Sequence, residues 1–231
     1  MGLQRMGPPT EIILRLKKAY PVPHFIETGT FKGETSYWAS RLFNTVSTIE
    51  NSETLFRQVK EKYSHISNIH FYFGDTRVKL KEILSAMSSA GMFWLDAHWS
   101  GQKTYGENDE CPLLDELKII NSSRFDHIVF IDDARLFLSP PPRPHIIDNW
   151  PDITTVLDVL QKTSKKRYIV ITDDVILAVP YEMKPIVASY YQERNTQLWQ
   201  NHNTSEFSEG LKLIREAIKK KIALVTLQKR G

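Results

Sequence analysis

The chain has 231 residues, 41% hydrophobic and 25% charged, a balance that fits one large α/β domain better than two small ones. Thirty basic against 27 acidic side chains leave a formal charge of +3, too slight and too dispersed for a dedicated nucleic-acid binder, and the run Lys219-Lys220-Lys221 reads as a solvated helix face. Cys111 is the single cysteine, which excludes an intrachain disulfide and a cysteine-rich zinc module; no apolar run nears the ~18 residues of a membrane span and no signal-peptide pattern opens the chain, so a soluble, cytoplasmic protein without membrane partners is expected.

Ile12, Ile13 and Leu16 recur at helical spacing, so a short helix is expected from a cap at Thr10 to about Tyr20, stopped by Pro21 and Pro23. Strands are then expected at 24–28, 45–50, 68–74, 92–96, 127–132, 167–172 and 175–180, with helices starting near Gly33, Ser52, Thr76, Pro112 and Pro151. Apolar, β-branched runs alternating with amphipathic stretches are the signature of a βαβ series and a mostly parallel sheet. Only Asp173 and Asp174 separate the last two runs, too short a link for a parallel crossover, so an antiparallel hairpin should close the sheet. Residues 97–111 and the proline-rich 138–150 read as long loops above the fourth and fifth strands. Helices near 184–200 and 208–221 and a strand at 222–227 are expected beyond them. The division expected is a Rossmann-like domain over 1–180 and a helical extension over 181–231 packed on it, available to cover the rim or to form a homodimer.

The first five strands end on or beside Glu27, Glu50, Asp75, Asp96 and Asp132. Ligands of open α/β sheets bind outside the carboxyl ends of the strands, so these acids should gather on one rim. Within the first turn, Glu27-x-Gly29-x-x-x-Gly33 offers backbone N–H groups beside a carboxylate. The dinucleotide fingerprint Gly-x-Gly-x-x-Gly is not met, because Glu27 stands at its first glycine.

With Glu50 ending strand two and Gly74-Asp75 ending strand three, residues 20–180 resemble a class I S-adenosylmethionine-dependent methyltransferase. The resemblance implies a Rossmann-like, seven-stranded, mostly parallel sheet with a terminal antiparallel hairpin. It also implies that Gly29 and Gly33 approach the methionine part of S-adenosylmethionine, that Glu50 binds the ribose hydroxyls, and that Asp75 lies by the adenine. Glu27 would hold the amino end, directly or through water, and Thr30 and Asp96 complete the donor set.

A second constellation joins Trp94-Leu95-Asp96-Ala97-His98 to Phe130-Ile131-Asp132-Asp133. Three converging carboxylates repel one another unless a cation is present, and hard oxygen ligands favour Mg²⁺, Mn²⁺ or Ca²⁺. This part resembles the metal-dependent sugar O-methyltransferases of the macrocin and aminocoumarin type. It implies a metal on Asp96, Asp132 and Asp133, His98 as general base, and a hydroxyl of a sugar or secondary metabolite as the small-molecule acceptor. The plainer alternatives are a helix cap or turn for Asp132-Asp133 and a satisfied buried imidazole for His98. Glu107, Asp109 and Glu110 read as a solvated loop, Asp115 and Glu116 as a favourable first helical turn, and Trp99, Tyr105 and Trp150 as either acceptor-stacking or core residues. A metal-dependent nucleotide-sugar glycosyltransferase, through Asp96-x-His98, and a non-catalytic Rossmann-like binding or scaffold module remain the competing readings.

Overall fold

A computed structural model describes residues 7–98, 109–163 and 166–201, together with Gly210 and Ile214. The expected strands are present as β1 (His24–Thr28), β2 (Thr45–Glu50), β3 (Ile69–Phe73), β4 (Gly91–Leu95), β5 (Ile128–Ile131), β6 (Arg167–Thr172) and β7 (Val175–Pro180). They form one sheet in the order β3-β2-β1-β4-β5-β7-β6. β1 pairs in parallel with both β2 and β4, so the chain leaves β1 on one side and returns on the other. The crevice at the carboxyl ends of β1 and β4 is therefore the topological switch point, where open α/β sheets place their ligands. The terminal hairpin is antiparallel as expected, and β7 inserts between β5 and β6, leaving β6 at the edge.

Composition explains which strands are central. β4 and β5 read Gly-Met-Phe-Trp-Leu and Ile-Val-Phe-Ile, and all of these residues are buried. Strands covered by helices on both faces lose the polar alternation of a half-exposed strand. Edge strand β6 is only partly buried, whereas β7 beside it is buried throughout.

The helices are α1 (Thr10–Ala19), α2 (Glu34–Ser40), α3 (Glu53–Tyr63), α4 (Thr76–Ala86), α5 (Leu113–Asn121), a single turn α6 (Arg135–Leu138) and α7 (Ile153–Gln161). Ile12, Ile13 and Leu16 face the core, but Thr10 is the first helical residue and not a cap; Pro9 holds the cap position and the Thr10 hydroxyl donates to Pro8 O at 3.4 Å. Side-chain caps occur where acids or hydroxyls end a turn: Ser52 accepts from Leu55 N, Asp75 from Arg77 N at 2.8 Å and Asp152 from Thr155 N at 2.8 Å. Each satisfies a donor that the first helical turn would leave unpaired.

Beneath the sheet's other end, the imidazole of His127 is buried. Nδ1 accepts from Gly91 N at 3.0 Å, and Nε2 lies 2.7 Å from the Ser123 hydroxyl. Burial, helped by the positive charge of Arg167, pulls its pKa down to about 4. Below pH ~6.5 the unfolded chain takes up a proton that the folded ring refuses, so this group leaves stability undisturbed above that pH and lowers it as pH falls toward 4. In a histidine-resolved NMR titration, His127 should stay neutral down to about pH 4. A midpoint near 6.5, the unperturbed value, would contradict that.

The chain divides into two compact units, Met1–Lys184 and Pro185–Gly231. The second opens as a helix through residue 201, as expected near 184–200, with the rings of Tyr190 and Tyr191 4.8 Å apart. The helix expected at 208–221 falls almost entirely outside the described residues, and the strand expected at 222–227 lies wholly outside them. No described helix is long and apolar enough to cross a membrane.

Candidate functional site

The turn after β1 is built by backbone bonds and two glycines. Gly29 N and Thr30 N both donate to Ile49 O, at 3.0 and 3.2 Å, and Gly33 N donates to Thr30 O at 2.8 Å. A Cβ on Gly29, at φ +83°, would sit 2.3 Å from Asp96 O, so this glycine is what lets the exit of β4 press against the turn. Gly33, at φ +72°, is constrained from the other side: its Cβ would lie 2.6 Å from Val59 and 2.9 Å from Tyr63, so it serves the packing of α3 under α2. Between them Phe31 has φ +47°, a left-handed conformation costing a bulky residue about 1–2 kcal/mol.

Glu50 holds that turn in place. One carboxylate oxygen accepts from Phe31 N at 2.9 Å and the other from Ser52 N at 2.8 Å, at the end of β2. Phe73 stands opposite Glu50 in the strand register with its ring half exposed. Glu27 is buried beneath the turn and accepts from the hydroxyls of Thr48, at 2.7 Å, and Ser36. Burial raises its pKa to about 7 against the pull of those bonds. The Thr30 hydroxyl is buried against that of Thr48 at 2.5 Å. Asp75 caps α4 and pairs with Arg77 at 2.6 Å; Arg77 also reaches Asp109 at 2.6 Å. The guanidinium holds the Asp75 carboxyl below its ordinary value.

Across the crevice, the end of β4 brings its residues to the end of β5. Asp96 N donates to Thr28 O and Asp132 N to Leu95 O, both at 3.1 Å, so the strand ladders continue into the site. His98, with only 8% of its side chain exposed, lies between the acids: Nε2 is 2.7 Å from Asp133 Oδ2 and Nδ1 is 3.7 Å from Asp96 Oδ1. Burial alone would lower the His98 pKa, but the bond to Asp133 and the fields of Asp96 and Asp132 raise it. Asp133 is held low because His98 and Arg135 outweigh its burial. Asp96 is raised by burial and by Asp132, Asp133 and Glu27, against His98's opposite pull. Asp132 is raised to about 6 by burial and Asp133.

The structure thus brings Asp96, His98, Asp132 and Asp133 together, but the expected Mg²⁺, Mn²⁺ or Ca²⁺ site is not assembled. Among the described residues no three carboxylate, imidazole or thiol side chains are placed to share one ion. The reason is visible at Asp133: one oxygen meets His98 and the other accepts from Arg135 Nη1 at 2.5 Å. The guanidinium takes one oxygen of Asp133 and is shared with Asp174, while Asp96 and Asp132 keep raised pKa values beside their acidic neighbours. Arg135 is anchored by Asp174 in the β6–β7 turn, whose carboxylate also accepts from Arg135 N at 2.8 Å and whose carbonyl accepts from Ala134 N at 2.8 Å.

Glu110 corrects the reading of 107–110 as a solvated loop. It is 1% exposed and accepts from Trp150 Nε1 at 2.5 Å, Ile146 N at 3.0 Å and His145 Nδ1 at 3.1 Å. Burial pushes its pKa up, yet the three bonds outweigh it and the carboxyl stays below the ordinary value. Asp115 and Glu116 lie in the first turn of α5 as expected, and Glu116 is buried there at 1% exposure. Trp150 is buried, with His98 against its ring at 5.6 Å and His145 at 5.0 Å. Glu107, Trp99 and Tyr105 fall outside the described residues. Arg135 and His145 stand in no sequence motif, because the partners that define them come from the hairpin turn and from a residue 35 positions away.

No family model matches the chain, and no curated protein sequence matches it significantly. Solved structures do. One is a candidate caffeoyl-CoA O-methyltransferase from Staphylococcus aureus, 15% identical, covering 77% of this chain and 86% of its own, with a TM-score of 0.53. A candidate methyltransferase from Streptococcus mutans in complex with S-adenosylhomocysteine is 12% identical over 76% of this chain and 99% of its own, TM-score 0.49. An amino pentose methyltransferase from Micromonospora echinaspora with bound S-adenosylmethionine is 8% identical over 74% and 89%, TM-score 0.49. The first of these shows the fold: a Rossmann-like methyltransferase sheet with its antiparallel terminal pair.

Proposed function

We propose that this chain is an S-adenosylmethionine-dependent O-methyltransferase acting on a hydroxyl of a small-molecule acceptor. One observation carries the reading. The Gly29 turn with Glu50 on one side of the β1/β4 crevice, and the His98–Asp133 pair on the other, meet across the Gly29–Asp96 backbone contact. On the donor side, Glu50 keeps acceptor capacity beyond its two backbone bonds and would take the ribose hydroxyls. The half-exposed Phe73 ring beside it offers a face for the purine. Glu27 and Thr30 act as struts under the turn, and Asp75, fixed by Arg77, closes the adenine end.

The acceptor-side chemistry follows from the hydrogen-bond inventory. An ionised Asp133 can only accept, so His98 Nε2 carries the hydrogen in that bond and Nδ1 is the nitrogen with a lone pair. The acceptor oxygen attacks the sulfonium methyl; the C–S bond breaks with its electron pair going to sulfur; the hydroxyl proton passes to Nδ1. The resulting imidazolium is stabilised by Asp133 and by Asp96, 3.7 Å from Nδ1. The step is carried by His98 with Asp133 and Asp96.

A thermal-shift series tests this reading. S-adenosylhomocysteine at 100 times its dissociation constant should stabilise the protein by about 2.7 kcal/mol, Mg²⁺ should add nothing further, and a nucleotide sugar should give no shift. A flat response to both S-adenosylmethionine and S-adenosylhomocysteine would sink the donor assignment.

A further inference from the structure

Three of the four described non-glycine residues with positive φ meet at one corner: Asp133 at +55°, after β5, and Asp173 and Asp174 at +51° and +66°, between β6 and β7. Thr172 pairs with Val175, so Asp173 and Asp174 make a two-residue hairpin loop with both φ positive. Such a loop favours glycine at its second place, as in Asp-Gly, because glycine carries a positive φ without steric cost. Asp174 stands there instead, with only 9% of its side chain exposed. All three of its oxygens are turned to the exit of β5. The carbonyl accepts from Ala134 N at 2.8 Å, Oδ1 from Arg135 N at 2.8 Å, and Oδ2 from Arg135 Nη1. The same Nη1 donates to Asp133 Oδ1 at 2.5 Å, so the two hydrogens of one nitrogen bridge two carboxylates. Asp133 Oδ2 lies 2.7 Å from His98 Nε2. An unbroken chain therefore runs from the hairpin turn through Arg135 and Asp133 to the imidazole.

The tether matters because the middle of this chain is loose. Arg135 is 45% exposed, and an exposed ion pair contributes little by itself, since ordering a long side chain offsets the attraction. His98, Asp133 and Arg135 also line a cavity of about 340 Å³, which leaves the carboxylate and the guanidinium room to turn. Asp174 grips Arg135 at its backbone N–H and at its guanidinium, so the arginine is already ordered when it meets Asp133. With one oxygen fixed in this way, Asp133 presents the other to His98.

We infer that Asp174 is a positioning residue for the proposed methyl transfer: acting through Arg135 and Asp133, it keeps the His98 hydrogen on Nε2 and the lone pair on Nδ1. The inference rests on the methyltransferase reading and adds to it a residue of the terminal hairpin. The turn itself does not require the carboxylate, whereas the imidazole does. An ionised Asp133 can only accept, and once it is free to swing away the ring hydrogen can settle on either nitrogen.

Asp174→Gly separates the two roles, since it gives the turn its favoured residue, keeps the carbonyl that bonds Ala134 N and removes only the tether. The full chain is compared by thermal melting, by calorimetry with S-adenosylhomocysteine, and by the ¹⁵N shifts of His98, assigned by their absence in His98→Ala. Asp174→Gly should fold and bind S-adenosylhomocysteine as the wild type does, while His98 passes from a single Nε2–H tautomer to a mixture. Its kcat for methylation of a small hydroxyl compound should fall roughly tenfold with KM unchanged, a part of the ~10²–10⁴ that a well-placed base contributes. Asp174→Asn, which tolerates a positive φ and keeps one acceptor oxygen, should lie between the two. Arg135→Met, which leaves the hairpin residues as they are, should match Asp174→Gly. Unchanged His98 tautomers or wild-type kcat in Asp174→Gly, or in Arg135→Met should the glycine variant not fold, would overturn the inference. So would a mixture of tautomers already present in the wild type. A wild type that binds no S-adenosylhomocysteine, with the tautomer change intact, would count against the donor reading alone.

Discussion

Replacing His98 with alanine is expected to lower turnover about 10²–10⁴-fold while leaving S-adenosylhomocysteine binding nearly unchanged, because the imidazole pairs with Asp133 and faces Asp96 but bonds to none of Gly29, Glu50 and Asp75. The pH profile should carry the same signature. The bond to Asp133 and the neighbouring acids raise the His98 pKa, so the neutral base is lost at a higher pH than for a free imidazole. The acid limb of kcat/KM should therefore lie above pH ~6.5, the rate falling as pH drops through it, and that limb should disappear in the variant. Turnover is measured with whichever small hydroxyl compound accepts the methyl group. Wild-type turnover in His98→Ala would remove His98 as the base.

Glu50→Ala is expected to produce the converse defect. Two charge-assisted bonds to ribose hydroxyls, each worth roughly 1.5–3 kcal/mol, are lost together, so S-adenosylhomocysteine affinity measured by calorimetry should fall at least ~100-fold. The same carboxylate satisfies Phe31 N and Ser52 N, so the unliganded protein should also lose some thermal stability. Glu50→Gln separates the effects: the amide oxygen retains one backbone bond and one ribose acceptor, so its affinity should lie between the two. An unchanged dissociation constant in Glu50→Ala would place the ribose elsewhere.

The sheet was legible because its strands are short apolar runs bounded by acids, and each expected strand lies within one residue of its place at either end. The hairpin followed from the length of its link. The position of β7 between β5 and β6 did not, since strand order in space is set by packing that no local pattern records. α6, one turn long, has too few residues for periodicity to be read. At the site, Asp96, His98, Asp132 and Asp133 were legible as a cluster from their places at strand ends. The partners of Asp133 were not: repulsion among three acids argues for a cation, and sequence alone does not show that the guanidinium two residues beyond Asp133 takes one of its oxygens. Glu110 was missed for a related reason. An acid among polar loop residues looks solvated until its partners, 35 to 40 positions away, fold over it.

The two sides of the crevice are distributed very differently along the chain. The residues proposed to hold the donor are scattered from β1 to α4, interleaved with core strands. Most of the wall of the cavity beside His98, from Asp133 through His145, is one uninterrupted stretch between β5 and α7. It is tied to the rest by Ala134 and Phe137 in the core and by polar anchors, chiefly Asp174 and Glu110. Under the proposed function such a stretch behaves as a cassette: exchanged as a block, with its polar anchors and its two core residues preserved, it would change the acceptor while the turns proposed to hold the methyl donor are inherited unchanged.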